Sequence, residues 1–317
     1  AAIVLSLLNI PGVDRMTVKN FYFTSINSNS LDYNEAYEVI HHVAKKYKRI
    51  KVPKKEEFRE AVEKASSIIN GYRSDGIEII TFNDSLYPKK LRNCPDTPVL
   101  LFAKGNLRVL NNVKQIAIIG TRDVTKKGIQ NALLVAHTAA KKGYTVVSGL
   151  ASGCDTYAHR GCLEVSGDTV AVLPGPVDKV YPPSNEELAC SIIEKGGVLI
   201  SEYHGDAVYH KSRFVERDRI QAGLSDGVIV IETELKGGTM HTVRYAEKYK
   251  KKVACFSNDG DSTSFQIQGN LKLIAEKRAE PISSLSDLNL FLERAGQKME
   301  SDNNQFEQIA FDLTGKS

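Results

Sequence analysis

The feature that most constrains the fold is an alternation of short apolar runs with helical patterns between residues 115 and 256. A run without polar alternation is typical of a strand that is covered on both faces. Strands that alternate with helices predict a parallel sheet with helices on both sides. The predicted strands are 116–119, 145–148, 169–173, 198–201, 228–232 and 253–256.

These patterns predict a Rossmann-like α/β fold, with a doubly wound, mostly parallel sheet and a small N-terminal all-helical domain. The length of 317 residues suits one large domain with a smaller one added. We expect the helical domain at 1–75, an extended Rossmann-like domain at 76–280, and a short C-terminal helix and tail at 281–317.

Composition excludes several classes of protein. No apolar run approaches the roughly 20 residues needed to cross a bilayer, and the apolar start at 1–10 is interpreted as a helix and not as a signal peptide. The five cysteines show neither zinc-ligand nor CxxC spacing, which favours reduced thiols in a cytoplasmic protein. We therefore predict no metal and no cofactor. The net charge of +4 permits a polyanionic partner without requiring one.

A basic stretch at 45–55 contains seven Lys or Arg residues. Its ordinary interpretation is a solvated helix face and linker. A contact with a nucleic-acid backbone is the second interpretation, and the sequence leaves it open.

Polar, glycine-rich segments follow the predicted strands, at the edge where doubly wound sheets bind ligands. Glycine lets a backbone approach a phosphate, a helix N-terminus offers free amides, and arginine adds a planar fork of donors. These properties predict a phosphorylated ligand, either a nucleotide or a DNA strand, with Arg122 as the most important contact. The candidate phosphate- or DNA-binding residues are Gly120, Thr121, Arg122, Ser148, Gly149, Ser152, Gly153, Asp155, Arg213, Arg217, Arg219, Lys236, Gly237, Gly238, Thr239 and Thr242.

Three nearby residues have competing interpretations. Asp155 either belongs to an anion-binding turn or is the N-cap of the next helix. His159, one turn later, is expected to pack beneath that turn. Tyr181 either stacks on a base or packs in a rigid, proline-rich connector. Because an isolated Asp and His without a nucleophile are weak evidence for catalysis, we predict no catalytic residue.

Several motifs together resemble the DNA-processing DprA/Smf family. The clearest are the run 147–155 with 158–161, which is similar to S-G-x-A-x-G-[ID]-D-x-x-A-H-x-G, and 119–122, which is similar to V-G-S-R. Further similarities, in the family's order and spacing, lie at 87–91, 98–100, 171–185, 200–203, 217–225, 238–246 and 269–271.

The resemblance implies a protein that binds and protects single-stranded DNA and passes it to a RecA-type recombinase, in natural transformation (competence) or in recombination. It also implies that the helical domain at 1–75 is of the SAM or helix-hairpin-helix type and that the extended Rossmann-like domain at 76–280 is the DNA-binding one. The resemblance further implies a cytoplasmic homodimer, formed through the Rossmann-like domain, without an established enzymatic activity. Which of these pathways the chain serves, or whether it serves an accessory or defence pathway, stays open.

The chain departs from the family pattern at several positions. Val215 replaces a proline, Asp218 replaces an asparagine, and Pro183 stands where a basic residue is common. We expect Asp218 to be ionised at neutral pH because cations flank it, and therefore to reduce the local positive charge.

Two alternative functions remain. Phosphoribohydrolases of a similar fold carry P-G-G-x-G-T-x-x-E, but here Lys236 precedes Gly237 and Arg244 replaces the catalytic Glu. A cation cannot stabilise an oxocarbenium-like centre as a carboxylate does. A sensor of a small phosphorylated nucleotide fits the same loops.

Overall fold

A computed structural model describes residues 1–24, 33–205, 210–257 and 264–297. The first part is helical, as predicted. Its helices are α1 (Ala2–Leu8), α2 (Arg15–Thr24), α3 (Tyr33–Lys46) and α4 (Lys55–Ser74).

An α/β arrangement follows. Its strands are β1 (Ile77–Thr81), β2 (Leu100–Gly105), β3 (Gln115–Ile119), β4 (Thr145–Ser148), β5 (Thr169–Val172), β6 (Val198–Ser201), β7 (Gly227–Val230), β8 (Lys252–Phe256) and β9 (Glu280–Ile282). Its helices are α5 (Lys89–Arg92), α6 (Lys126–Lys141), α7 (Cys154–Glu164), α8 (Glu186–Glu194), α9 (Lys211–Leu224), α10 (Thr239–Lys248), α11 (Gln268–Ala275) and α12 (Leu285–Gly296).

The strands form one sheet in the order β1-β2-β6-β5-β4-β3-β7-β8-β9. The strands from β3 to β9 pair in parallel, and β1 and β2 extend the sheet in antiparallel fashion. This confirms the predicted doubly wound, mostly parallel sheet. The chain runs outward from β3 through β4, β5 and β6, and then returns to the other side of β3 with β7. Beside β3, therefore, the strand order reverses, which is where such sheets open a crevice.

The strand β3 is buried along its whole length because helices cover both of its faces. Ile116 and Ile118 lie in one apolar cluster with Val135 of α6 and Ala158 of α7. The alternate residues, including Ile119, lie in another cluster with side chains of α9, α10 and α11. The two-residue period of a strand thus directs successive side chains to opposite helical layers.

The N-terminal helices share a continuous apolar core with the edge of the sheet. Leu7, Ile40 and Phe58 belong to the same cluster as Phe102 of β2 and Leu199 of β6. In the part of the chain that the structure covers, no helix is both long and apolar enough to span a membrane.

At the other end, β9 crosses the predicted boundary between 280 and 281. Ser284 and Asp287 form a capping box that begins α12, and Phe291 of this helix packs in the sheet core. The division into domains stays a prediction, and residues 298–317 lie outside the described part.

Candidate functional site

A recess opens at the carboxyl edge of the sheet. It lies where the loops after β3, β4 and β5 meet the first turns of α9, on the predicted ligand-binding edge. Its lining residues are Arg122, Gly149, Ala151, Ser152, Pro174, Tyr181, Pro182, Phe214 and Arg217. Of the residues predicted from the sequence, Arg122, Gly149, Ser152 and Arg217 are thus brought together.

One wall of the recess is aromatic and cationic. The guanidinium carbon of the exposed Arg122 lies 5.0 Å from the ring centroid of Phe214. The rings of Tyr181 and Phe214 meet edge to face, with centroids 5.8 Å apart, and Tyr181 is 37% exposed. A flat ligand can stack on such a wall while an anionic group contacts the guanidinium.

The floor of the recess is formed by Gly149 and Arg217. A Cβ built on Gly149 would overlap Nη1 of Arg217, so this position requires glycine for close packing. Arg217 is only 6% exposed, and its Nη1 donates to the carbonyl of Val172 over 3.1 Å. Its Nε lies 3.3 Å from Oδ1 of Asp218. Arg217 is therefore a buried cation that supports the recess and presents only an edge to it.

The backbone turn after β4 is already occupied by a carboxylate of the protein. The amides of Gly149 and Ala151 donate to Oδ2 of Asp155, over 3.1 and 3.4 Å. Burial raises the pKa of Asp155, while Arg217 and these amides lower it. The hydroxyl of Ser148 donates to the carbonyl of Ile118. Asp155 is thus not the N-cap of α7, which is Gly153, and the predicted anion-binding turn holds a carboxyl group of the protein itself.

The N-terminus of α6 is filled in the same way. Thr125 caps this helix by accepting a hydrogen bond from the amide of Gly128 over 3.0 Å. The carboxylate of Glu232, which is 2% exposed, accepts hydrogen bonds from the amide and hydroxyl of Thr125. A Cβ on Gly128 would lie 2.5 Å from that carboxylate. Glu232 was not predicted as a site residue from the sequence. A carboxylate at the end of a buried strand was the pattern that could have indicated its role.

The glycines and Thr121 of this region have packing roles in the structure. A Cβ on Gly120 would overlap Sγ of Cys154, and one on Gly153, whose φ is +78°, would overlap the carbonyl oxygen of Thr121. The amide of Thr121 donates to the carbonyl of Glu232 over 2.8 Å. These close approaches join the loop after β3 to the start of α7, which fixes the position of Arg122.

The three predicted arginines of α9 do not form one cluster. Arg219 is 2% exposed and pairs with Glu202, which also accepts a hydrogen bond from Arg15. The guanidinium of Arg213 lies over the ring of Tyr203, 4.4 Å from its centroid. Arg213 lies one turn before Arg217 on the same face of α9, but it is held against Tyr203, whereas Arg219, two residues after Arg217, points to the opposite side of the helix. Only Arg217 lines the recess.

The last predicted loop lies at the same edge of the sheet but does not line the recess. Lys236 and Gly238 are exposed at the start of α10, whereas Thr242 is buried. A Cβ on Gly238 would meet no atom within 4 Å, so packing does not require glycine there. Phosphate contacts of Lys236, Gly237, Gly238, Thr239 and Thr242 remain a prediction.

Burial changes the ionisation of two groups near the floor. Burial raises the pKa of Asp218 to about 7, against the lowering effect of Arg217 and Arg122. Asp218 was expected to be ionised at neutral pH because cations flank it; in the structure, loss of water outweighs those cations and shifts its pKa upward. Burial lowers the pKa of His159 to about 3, and its Nδ1 lies 2.8 Å from the hydroxyl of Thr169. This confirms that His159 packs beneath the turn as a neutral side chain.

Known proteins are similar to this chain in sequence and in architecture. The family model of DNA recombination-mediator protein A matches residues 78–293. The chain is 33% identical over 234 residues to DNA processing protein DprA of Bacillus subtilis, covering 74% of this chain and 77% of that protein. It is 36% identical over 214 residues to protein Smf of Synechocystis, covering 67% of this chain but only 53% of that protein.

Two solved structures are also similar. DNA processing protein A of Streptococcus pneumoniae superposes with a TM-score of 0.72 at 26% identity, covering 91% of this chain and 95% of the other. The structure of DNA processing protein A of Helicobacter pylori, which concerns its single-stranded DNA binding mode, superposes with a TM-score of 0.61 at 29% identity. The match covers 69% of this chain and 96% of the other. Since the family model spans more than half of the sequence and the folds agree, this chain belongs to the DNA recombination-mediator protein A (DprA/Smf) family.

Proposed function

We propose that this protein binds single-stranded DNA at the recess. A base stacks against Phe214 and Tyr181, and Arg122 contacts a neighbouring phosphate. The observation that carries this proposal is the placement of the Arg122 guanidinium over the Phe214 ring, 5.0 Å from its centroid, at the rim of the recess. The binding of single-stranded DNA by the relative from Helicobacter pylori supports it.

The shape of the site favours a single strand over a duplex. Stacking on an aromatic side chain needs an exposed base face, which a duplex does not offer. Stacking is also tolerant of sequence, because every base has such a face. We therefore expect little sequence preference.

The internal carboxylates decide how phosphates are held. Asp155 already accepts hydrogen bonds from the amides of the turn after β4, and Glu232 accepts one from the amide of Thr125 at the start of α6. A phosphate must then contact exposed side chains such as Arg122 instead of buried amides. Binding through exposed cations falls steeply as salt rises.

The remaining part of the proposal rests on family membership. We propose that the protein protects the bound strand and passes it to a RecA-type recombinase, that it forms a homodimer through the Rossmann-like domain, and that it acts in the cytoplasm without catalysis. Arg244, which stands where phosphoribohydrolases need a carboxylate, is exposed, and its Nε donates to the carbonyl of Met240. This arrangement favours binding over hydrolysis.

Fluorescence anisotropy tests the proposal. A labelled oligo-dT should bind more tightly than a duplex of equal length, and a mononucleotide should not displace it. Phe214→Ala should weaken binding by about 1–3 kcal/mol, the usual value of one stacked base. Leu134→Ala, a similar truncation of an exposed apolar side chain on α6, should change nothing. Equal or tighter binding of duplex would contradict the proposal, and displacement by a mononucleotide would favour a nucleotide sensor.

A further inference from the structure

A row of exposed cations lies between α3 and α4. We call Lys48, Arg49, Lys51, Lys54 and Lys55 the basic strip; all five are exposed. No Asp or Glu occurs between residues 45 and 55. The segment therefore concentrates positive charge on the surface of the N-terminal helical region.

The backbone of the basic strip is fixed by contacts with the helices around it. The amide of Lys51 donates to the carbonyl of Pro11 over 3.1 Å, and the hydroxyl of Tyr37 donates to the carbonyl of Pro53 over 3.1 Å. Ile50, within the strip, is 7% exposed and packs in the apolar core. A Cβ on Gly12 would overlap the carbonyl oxygen of Arg49. The cations thus project from an ordered backbone, which lowers the entropy cost of binding a polyanion.

Neighbouring carboxylates neutralise only part of this charge. Asp14 pairs with Arg49 over 2.5 Å, and the carboxylate of Glu57 accepts a hydrogen bond from the amide of Lys54. Within the described ranges, no ion pair engages the ammonium groups of Lys48, Lys51 and Lys54. These three side chains are available to an external anion.

A short series of ionic contacts connects the basic strip to the recess. Asp14, which holds Arg49, is followed by Arg15, whose guanidinium lies 3.5 Å from the carboxylate of Glu216 on α9. Glu216 is two residues from Phe214, which forms the aromatic wall of the recess. The start of α2 therefore ties the basic strip to the helix that shapes the proposed DNA site.

We propose that the basic strip is a second nucleic-acid contact, which binds the sugar–phosphate backbone of a strand whose base occupies the recess. This inference rests on the proposed function and extends it to the N-terminal helices. Exposed lysines on an ordered backbone suit phosphates without selecting a base sequence. The strip should therefore matter for long strands and not for oligonucleotides that only fill the recess.

A triple variant tests the strip. It combines Lys48→Gln, Lys51→Gln and Lys54→Gln. The matched control combines Lys141→Gln, Lys195→Gln and Lys250→Gln, exposed lysines that each precede a strand and so lie at the opposite edge of the sheet. Binding of oligo-dT of about 6 and about 30 nucleotides is measured from low to high salt; the first length is near the lower end of typical single-strand site sizes and the second is well above them.

Each phosphate contact contributes about 0.7 to the slope of log K against log salt for single strands, so the triple variant should lose about 2 units of slope with the long strand. At 0.1 M salt its affinity should fall by about 100-fold, if affinities at 1 M are equal. Binding of the short strand, and all binding by the control, should stay at the wild-type level.

The inference would be overturned if the triple variant, at unchanged thermal stability, bound the long strand with the same salt slope and affinity as the wild type. It would also be overturned if the triple variant kept its DNA affinity but lost binding to anionic lipid vesicles, since the basic strip would then be a membrane contact. Failure of the wild type to bind either strand would instead refute the proposed function itself, since the short strand tests the recess alone.

Discussion

Replacing Gly149 by alanine tests the packing beneath the recess. The added methyl group would occupy the position of Nη1 of Arg217, so the guanidinium must move. It would lose its hydrogen bond to the carbonyl of Val172 and its ionic contacts with Asp218, at 3.3 Å, and with Asp155, at 3.9 Å. Breaking a buried ionic contact costs about 3–5 kcal/mol, because the remaining groups stay buried without a partner. We expect the free energy of unfolding to fall by about this amount.

Urea unfolding at pH 7 measures the effect, with Gly71→Ala as the control. A Cβ on Gly71 meets no atom within 4 Å, and this residue lies inside α4. Its replacement should stabilise the protein by about 0.5–1 kcal/mol, as alanine does in a helix. If Gly149→Ala unfolded within about 0.5 kcal/mol of the wild type, the value typical of an ordinary surface substitution, Arg217 would not pack as described.

Two further predictions concern the groups around the floor of the recess. Because the pKa of Asp218 is raised from 3.8 to about 7, wild-type stability should fall relative to Asp218→Asn as pH rises between these values, by about 1 kcal/mol per pH unit. Urea unfolding of both proteins at pH 4.5 and 7.5 would show this, and a stability difference between them that does not change with pH would contradict it. At pH 8, where Asp218 is ionised, Asp218→Asn should also bind DNA more tightly than the wild type. At pH 5.5 the two proteins should bind DNA alike. Thr125→Ala removes the cap of α6 and a hydrogen-bond partner of Glu232, and it should lower the free energy of unfolding by about 1–3 kcal/mol. Thr125→Ser keeps the hydroxyl and should restore most of this stability. Equal losses of stability in both variants would assign the effect to the methyl group.

The parallel part of the sheet could be predicted because its strands are buried on both faces. Such strands appear as continuous apolar runs, and the six predicted runs correspond to β3 to β8. Strand β9 was missed because it has three residues, one of them Pro281, and no apolar run. The antiparallel pairing of β1 and β2 depends on long-range contacts that no local pattern specifies.

The site was only partly predictable for a similar reason. Glycine-rich turns and Arg122 mark the ligand-binding edge, since that edge follows from the topology. The occupation of the two anion sites by Asp155 and Glu232 depends on how loops from different strands meet, and an isolated sequence does not show it. The sequence did not indicate the role of Phe214, and Arg219 was predicted as a ligand contact, whereas it pairs with Glu202. Their roles follow from the orientation of α9, whose buried face includes arginines.

The central claim is that Arg122 contacts a phosphate of single-stranded DNA at the recess. The most direct test is a salt titration of oligo-dT binding by the wild type and Arg122→Ala, with Arg108→Ala, which is also exposed, as the control. We predict that Arg122→Ala binds more weakly, with a slope of log K against log salt that is shallower by about 0.7, while Arg108→Ala matches the wild type. Unchanged affinity and slope in an Arg122→Ala protein of normal thermal stability would contradict it.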